Sequence, residues 1–329
     1  MVALRARLER LPLAQTFRIA RGAKDEAVVV VAEVSDGAHR GWGESVPYAR
    51  YGESPEGVLA ALEGVAEALA EGLDREALQT TMPPGAARNA LDAALWDLEA
   101  QRRGEPVFAL LGLREPRPTP TCFTLVVDRP GAVEDAARRA AGHGWLKLKL
   151  AGDDDDLARL EAARRGAPDT PLVVDANESW DLPRYRRLAP ELPRLGVALL
   201  EQPFPARADD ALTELPHPVP ICADESAHHR GDLPALRGRY DAVNVKLDKA
   251  GGLTEALAFA QAAEAAGLGV VVGCMVCSSL GTAPAHLLTD GALVVDLDGP
   301  LWLRRDRAEG VALRDHRLRP GRLWGYPRP

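Results

Sequence analysis

The stretch Leu146-Lys147-Leu148-Lys149-Leu150 alternates apolar and cationic residues with a period of two. As a strand it turns both ammonium groups to one face. Around it, short apolar runs alternate with stretches whose apolar positions recur at helical spacing. The runs are Thr119–Val127, Trp145–Leu150, Pro171–Ala176, Gly196–Leu200, Val219–Ala223, Ala242–Val245, Gly269–Gly273 and Ala292–Val295. Ala132–Ala141, Asp155–Arg165, Leu182–Glu191 and Thr254–Ala266 read as helices between them. Eight strands with helical crossovers, one about every 25 residues, predict an α/β fold with an eight-stranded parallel barrel.

The chain before Arg114–Thr121, a Pro-rich boundary, has a different rhythm. Residues 1–55 are β-rich, with a valine-dominated strand over Glu26–Val34, a turn at Ser35-Asp36-Gly37 and a second short strand over His39–Glu44. Polar loops are expected at Arg18–Asp25 and Pro47–Pro55. Gly57–Leu73 and Gly85–Gln101 have helical periodicity. The division that follows is an α+β domain over 1–116, the barrel over 117–300, and an Arg-, Gly- and Pro-rich segment over 301–329 that runs back to the first domain.

Composition narrows the class. A net charge of −8 argues against a nucleic-acid or anionic-membrane partner. The apolar run Gly267–Met275 is too short to span a bilayer, and Met1–Arg21 has no uninterrupted apolar core of a signal peptide. A cytoplasmic location is the default, and a homo-oligomer is left open. Four cysteines in 329 residues make no disulfide framework, and Cys274-x-x-Cys277 alone is a weak redox or zinc signal.

Lysine usage carries more. Of the 40 basic residues only Lys24, Lys147, Lys149, Lys246 and Lys249 are lysines. An amine can surrender its proton in a buried or cationic setting, whereas a guanidinium cannot. Lysines kept at strand ends, in a chain that otherwise uses arginine, suit proton transfer. Lys147 beside Lys149 is expected to lower its neighbour's pKa and to contact a substrate anion.

In such barrels chemistry sits at the C-terminal strand ends. Strands three, four and five end in Asp175, Glu201 and Asp224. Adjacent strands lie about 4.8 Å apart, so three bare carboxylates repel strongly unless a hard cation joins them. An all-oxygen set fits Mg2+ better than zinc. Lys147 and Lys149 on strand two and Lys246 on strand six flank this cluster. That suits taking a proton from one face of a carbon and returning one to the other. Asp153–Asp156 reads as a solvated helix start, and His228-His229 as loop residues.

The ordered motifs Lys147-x-Lys149, Asp175-x-Asn177, Glu201-Gln202-Pro203, Asp224-Glu225-Ser226 and Lys246-x-x-Lys249-x-Gly-Gly resemble the muconate-lactonizing subgroup of the enolase superfamily. Asp296-x-Asp298 is similar to the dipeptide epimerases within it. The resemblance implies a modified (β/α)7β TIM-like barrel under an N-terminal α+β capping domain. It implies Mg2+ on Asp175, Glu201 and Asp224. Lys149 would act on the (R) and Lys246 on the (S) configuration of one α-carbon, through an enolate. Thr124, Lys147, Cys274, Asp296 and Asp298 would contact a small dipeptide, the two aspartates taking its α-ammonium. Arg21 would read a terminal Glu carboxylate. The activity implied is epimerisation of the C-terminal residue of L-Ala-D-Glu or L-Ala-L-Glu, in recycling of peptidoglycan peptides. Rivals are a cycloisomerase or o-succinylbenzoate synthase of the same superfamily, and a non-catalytic barrel that binds metal or a small acid. Lys249 is expected to support the site rather than react, and Cys277 stands where some relatives are acidic.

Overall fold

The computed structural model describes residues 1–328 and opens on an antiparallel sheet. It comprises β1 (Ala3–Ile19), β2 (Gly22–Ser35) and β3 (Arg40–Ser45). The valine run of β2 does not alternate because both faces are covered. Val30, Ala32 and Val34 pack on the cap helices, whereas Val29 and Val31 join the barrel core. Those helices are α1 (Pro55–Gly64), α2 (Ala66–Ala70), α3 (Arg75–Thr81) and α4 (Ala86–Arg103). The single helix expected over Gly57–Leu73 breaks at Gly64-Val65, a poor helix former followed by a β-branched residue. The unexpected α3 starts where Asp74 accepts from Ala77 N at 2.8 Å. On β3, Gly41 and Gly43 let α4 approach so closely that a Cβ at either would strike the backbone of Ala90, Ala94 or Leu98.

The polar loop expected at Arg18–Asp25 is instead the tip of a long hairpin. Phe17 pairs with Lys24 and Ile19 with Gly22. The register shifts between Pro12 and Phe17. There Leu13 bridges Leu303, and Pro12 O accepts from Arg304 N at 2.9 Å. The tip is tied down where Val127 N donates to Arg18 O at 3.1 Å.

The expected strand Thr119–Val127 is split. β4 (Thr119–Pro120) joins the hairpin of β13 (Ala312–Arg314) and β14 (Arg317–Arg319), and β5 (Cys122–Leu125) starts the barrel. Pro120 has no N–H and sits in this small outer sheet. The barrel continues through β6 (Trp145–Lys149), β7 (Leu172–Asp175), β8 (Val197–Glu201), β9 (Ile221–Ala223), β10 (Ala242–Lys246), β11 (Gly269–Gly273) and β12 (Val294–Asp296). These eight strands are hydrogen-bonded in sequence order, and the pairs are parallel. Between β12 and β5 a side chain spans the seam: Thr121 Oγ1 accepts from Leu297 N at 3.0 Å and donates to Val295 O at 3.3 Å.

Cap and barrel are joined by buried polar contacts. Arg88 donates to Ala250 O at 2.7 Å and Gly251 O at 3.0 Å. Asp248 accepts from Val46 N at 2.9 Å and Asn89 Nδ2 at 2.8 Å. The C-terminal segment lies on α4, with Trp324 Nε1 on Ala93 O at 3.0 Å and Arg328 on Asp97 at 2.8 Å. No helix among the described residues is long and apolar enough to cross a membrane.

Candidate active site

Strand register sets the site's layers. Lys149, Asp175 and Glu201 are successive partners on β6, β7 and β8. Lys246, Gly273 and Asp296 are successive partners on β10, β11 and β12. β6 and β10 are four places apart in an eight-stranded ring, so Lys149 and Lys246 enter from opposite sides. Gly273 must lack a side chain, because a Cβ there would strike the Asn244 amide, which donates to Glu201 at 3.0 Å.

Asp175, Glu201 and Asp224 are buried and offer oxygens all within 4.8 Å of one another. Burial and the neighbouring Asp175 push Glu201 up to about 8. Asp175 and Asp224 are held below the usual carboxylate range: burial opposes this, but Lys149 and Lys147 outweigh it at Asp175, and Lys246 and Lys249 at Asp224. The donor set fits a hard divalent cation: three clustered carboxylates, one raised by burial and like-charge repulsion, and no His or Cys among them. Glu201 Oε2 accepts no hydrogen bond, although Lys147 Nζ lies 2.7 Å away.

The lysines are paired within this cluster. Lys149 Nζ donates to Asp175 Oδ2 at 2.5 Å, and Lys246 Nζ to Asp224 Oδ2 at 2.6 Å. Lys147 is deeper, 2.7 Å from Asp296 Oδ2 and 3.3 Å from Asp175 Oδ2. Burial works against its charge, but Asp296, Glu201 and Asp175 prevail and hold it well above the ordinary lysine value. Lys249 lies in the turn after β10, fully buried, on Asp224 Oδ1 at 2.6 Å and Asn244 O at 2.9 Å. It holds the third carboxylate in place.

At the barrel seam, Asp298 Oδ2 accepts from Thr124 N at 2.8 Å and Trp302 Nε1 at 3.1 Å. Burial and the neighbouring Asp296 push it up to about 6. Asp296 Oδ1 is buried with no hydrogen bond. A cavity of about 510 Å³ gathers Thr124, Lys147, Lys149, Asp224, Lys246, Cys274, Asp296 and Asp298 under the hairpin tip, with Arg21 and Lys24 in its roof. Asp175 and Glu201 are not on its lining and are reached beneath the lysines.

Arg21 reaches across from the cap. It donates to Glu225 Oε1 at 2.6 Å, Asn177 O at 2.8 Å, Glu178 Oε2 at 3.1 Å and Tyr48 OH at 3.2 Å. Cys277 is buried and Cys274 partly exposed on the cavity. His228 stacks its ring edge on Tyr51, and His229 caps a short helical turn.

Several positions gain roles that residue type alone did not reveal. After the carboxylate-bearing strands the backbone turns left-handed at Asn177 (φ 47°), Glu178 (φ 66°) and Gln202 (φ 37°). Asn177 N donates to Asp175 Oδ1 at 2.8 Å. Gln202 Oε1 accepts from Asp224 N at 2.9 Å and Ser226 N at 3.1 Å, which couples the ends of β8 and β9. Asp156 departs from the solvated helix start expected of its acidic run. It is fully buried and accepts from Ala151 N, Gly152 N, Trp180 Nε1 and Arg159 Nη1, each at 3.0 Å. The loop after Lys149 folds back and needs an acceptor there.

An eight-stranded barrel under an antiparallel cap, with three strand-end carboxylates between lysines, defines an enolase-type protein. Residues 1–112 match the mandelate racemase / muconate lactonizing enzyme N-terminal domain, and residues 131–319 match the enolase C-terminal domain-like family. The chain belongs to this mandelate racemase / muconate lactonizing enzyme branch of the enolase superfamily. It is 47% identical over 302 residues to the L-Ala-D/L-Glu epimerase of Escherichia coli, covering 91% of this chain and 93% of that one. An N-acetyl-D-glutamate racemase of Pseudoalteromonas is 41% identical over 302 residues, covering 90% and 95%. A crystal structure of an enolase family member from Agrobacterium tumefaciens with homology to dipeptide epimerases contains bound sodium and L-Ala-L-Glu. It superposes with a TM-score of 0.96 at 45% identity, covering 99% of this chain and 100% of that one.

Proposed function

We propose that this enzyme is a Mg2+-dependent dipeptide epimerase that inverts the α-carbon of the C-terminal residue of L-Ala-D-Glu and L-Ala-L-Glu. The observation that carries the reading is the placing of Lys149 and Lys246 on opposite sides of the carboxylate cluster, with Asp296 and Asp298 at the neighbouring seam. Asp175, Glu201 and Asp224 would hold the cation. When bound, it supplies positive charge beside the substrate carboxylate as the α-proton leaves.

The chain's own groups do the rest. One lysine takes the α-proton as a neutral amine, and the other, as an ammonium, delivers a proton to the opposite face. Each inversion leaves the proton loads of the two lysines exchanged, which is the state that takes the opposite isomer. Asp296 and Asp298 receive the dipeptide's α-ammonium. Thr124 and Trp302 orient Asp298, and Lys147 holds one Asp296 oxygen, leaving the other oxygen to accept. Cys274 borders the same space. A substrate without an α-ammonium, whether an N-acetyl amino acid or the acid of a cycloisomerase or o-succinylbenzoate synthase, leaves that buried oxygen unmatched.

Proton NMR in D2O with Mg2+ tests the reading. The α-proton signal of the Glu residue in L-Ala-L-Glu should vanish as deuterated L-Ala-D-Glu appears. Activity on N-acetylglutamate with none on any Ala-Xaa dipeptide would refute it.

A further inference from the structure

The three clustered carboxylates are not held alike. Asp175 and Glu201 are ladder partners on β7 and β8, so sheet bonds set their spacing. Asp224 lies beyond its ladders. β9 pairs with β8 as far as Cys222 and with β10 as far as Ala223, and the strand ends there, just before the carboxylate. A cation needs all three oxygens at a fixed spacing, and a site held ready binds more tightly than one that must be gathered. The backbone of Asp224 takes its brace from one side chain: Gln202 Oε1 accepts from Asp224 N at 2.9 Å and from Ser226 N at 3.1 Å.

Gln202 can do this with its amide only one way round. Backbone N–H groups donate and never accept, so Oε1 must face Asp224 N and Ser226 N, and the NH2 must face the other side. There Nε2 lies 2.9 Å from each of Phe204 O, Ser226 Oγ and Tyr240 OH. Both hydroxyls must therefore accept, and each must send its own proton elsewhere. Asp209 Oδ2 takes both protons, from Ser226 Oγ at 2.6 Å and from Tyr240 OH at 2.6 Å. An ionised carboxylate has no proton to give, so it fixes the direction of the bonds that lead back to Asp224 N. Arg239 holds the other Asp209 oxygen at 3.0 Å. Without that acceptor the two hydroxyls turn their protons toward the Gln202 NH2, donor against donor. Gln202, Asp209 and Tyr240 are buried, so a lost partner leaves a group unmatched.

We infer that Asp209 is a positioning residue for the cation site: through Ser226 and Tyr240 it sets the amide of Gln202, and through that amide the backbone that carries Asp224. Asp209 is not on the lining of the substrate cavity and does not belong to the carboxylate cluster. The inference rests on the Mg2+ site of the reading above and not on the identity of the substrate.

The test is a mutant cycle read by calorimetric Mg2+ titration. Asp209→Ala should weaken Mg2+ binding about tenfold, and Tyr240→Phe about threefold. The double variant should bind no more weakly than Asp209→Ala alone, because the Tyr240 hydroxyl helps only while Asp209 takes its proton. The Mg2+ concentration that half-activates α-proton exchange should rise by the same factors. Tyr185→Phe is the control. It removes a buried hydroxyl outside this network, one that donates to Pro216 O at 2.8 Å, and should leave Mg2+ binding at the wild-type level. The inference is overturned if Asp209→Ala or Tyr240→Phe binds Mg2+ as wild type does, if the two losses multiply in the double variant, or if Tyr185→Phe weakens binding as much as Tyr240→Phe. Should Asp209→Ala not fold, Tyr240→Phe against Tyr185→Phe decides alone. Wild type that binds no Mg2+ overturns this inference and the cation reading together. Wild type that binds Mg2+ but exchanges no dipeptide α-proton refutes the substrate reading alone, and the cycle still judges Asp209.

Discussion

Asp156→Asn isolates a buried acceptor outside the carboxylate cluster. The carboxylate takes four N–H donors, two on each oxygen: Ala151 N and Arg159 Nη1 on Oδ1, Gly152 N and Trp180 Nε1 on Oδ2. An asparagine of the same shape keeps one oxygen and turns an NH2 toward the other two donors. Two bonds to a charged acceptor are lost, at roughly 1.5–3 kcal/mol each, while the remaining pair weakens to neutral bonds. Arg159 is not left bare, because Asp153 still holds it at 2.5 and 3.0 Å. The expected loss is therefore about 3–5 kcal/mol rather than the full cost of an orphaned buried charge. Urea unfolding followed by tryptophan fluorescence measures it, with Trp180 reporting on the affected loop. Asp153→Asn, at a half-exposed side chain, should cost under about 1 kcal/mol by comparison. Equal, small losses in both variants would refute the claim that this acidic run is an interior acceptor. Calorimetric Mg2+ titration should give one bound ion per chain in wild type and in Asp156→Asn; loss of an ion in the variant would show that the run binds metal.

Lys149→Ala and Lys246→Ala should each lower net epimerisation by about a thousandfold or more, while each washes deuterium into only one diastereomer; near wild-type epimerisation by either would end the two-base scheme. Asp296→Asn should raise the dipeptide KM about tenfold or more and leave Mg2+ affinity nearly unchanged, as read by kinetics and calorimetry; equal losses would mean its place is misassigned. EDTA should stop α-proton exchange and Mg2+ restore it, and exchange that persists in chelator would remove the cation from the scheme. His286 is buried, with Nδ1 on Thr282 O at 3.2 Å and Nε2 unpartnered, and burial holds it at about 4 against an ordinary 6.5. The unfolded chain takes up this proton first, so the contribution is complete above pH 6.5 and fades as pH falls toward 4, by about 3 kcal/mol at most. His286→Leu should flatten the decline in urea stability between pH 6.5 and 4; an unchanged slope would refute it.

The barrel was legible because its strands are short apolar runs set apart by helical stretches, and burial on both faces leaves little alternation to misread. The carboxylates and lysines were legible for a related reason. A charged residue at the end of such a run has nowhere to point but the barrel mouth, so strand order alone arranges Lys149, Asp175, Glu201 and Lys246 around one centre. Thr119–Val127 failed because its apolar content does not say which sheet it joins. Pro120 and the distant Arg317–Arg319 strand decide that together.

The cap was harder to read. Arg18–Asp25 has the composition of a loop, yet long-range pairing across β1 and β2 makes it a hairpin, and local propensity is overruled. Composition counts three cations there, and only register tells which face each occupies. A shift of one residue would exchange Lys24 for Asp25 at the cavity and reverse the sign of the roof. The partners that occupy Arg21, Glu178 and Glu225, lie more than 150 residues downstream on barrel strand ends. Sequence position alone does not show that Arg21 is paired with Glu178 and Glu225 while Lys24 has no carboxylate within 4.0 Å among the described residues. Each strand end presents the charges around the carboxylate cluster by itself. The charges of the hairpin tip meet their partners only in the contact between cap and barrel, so a residue's charge there can be weighed only after its partners are known.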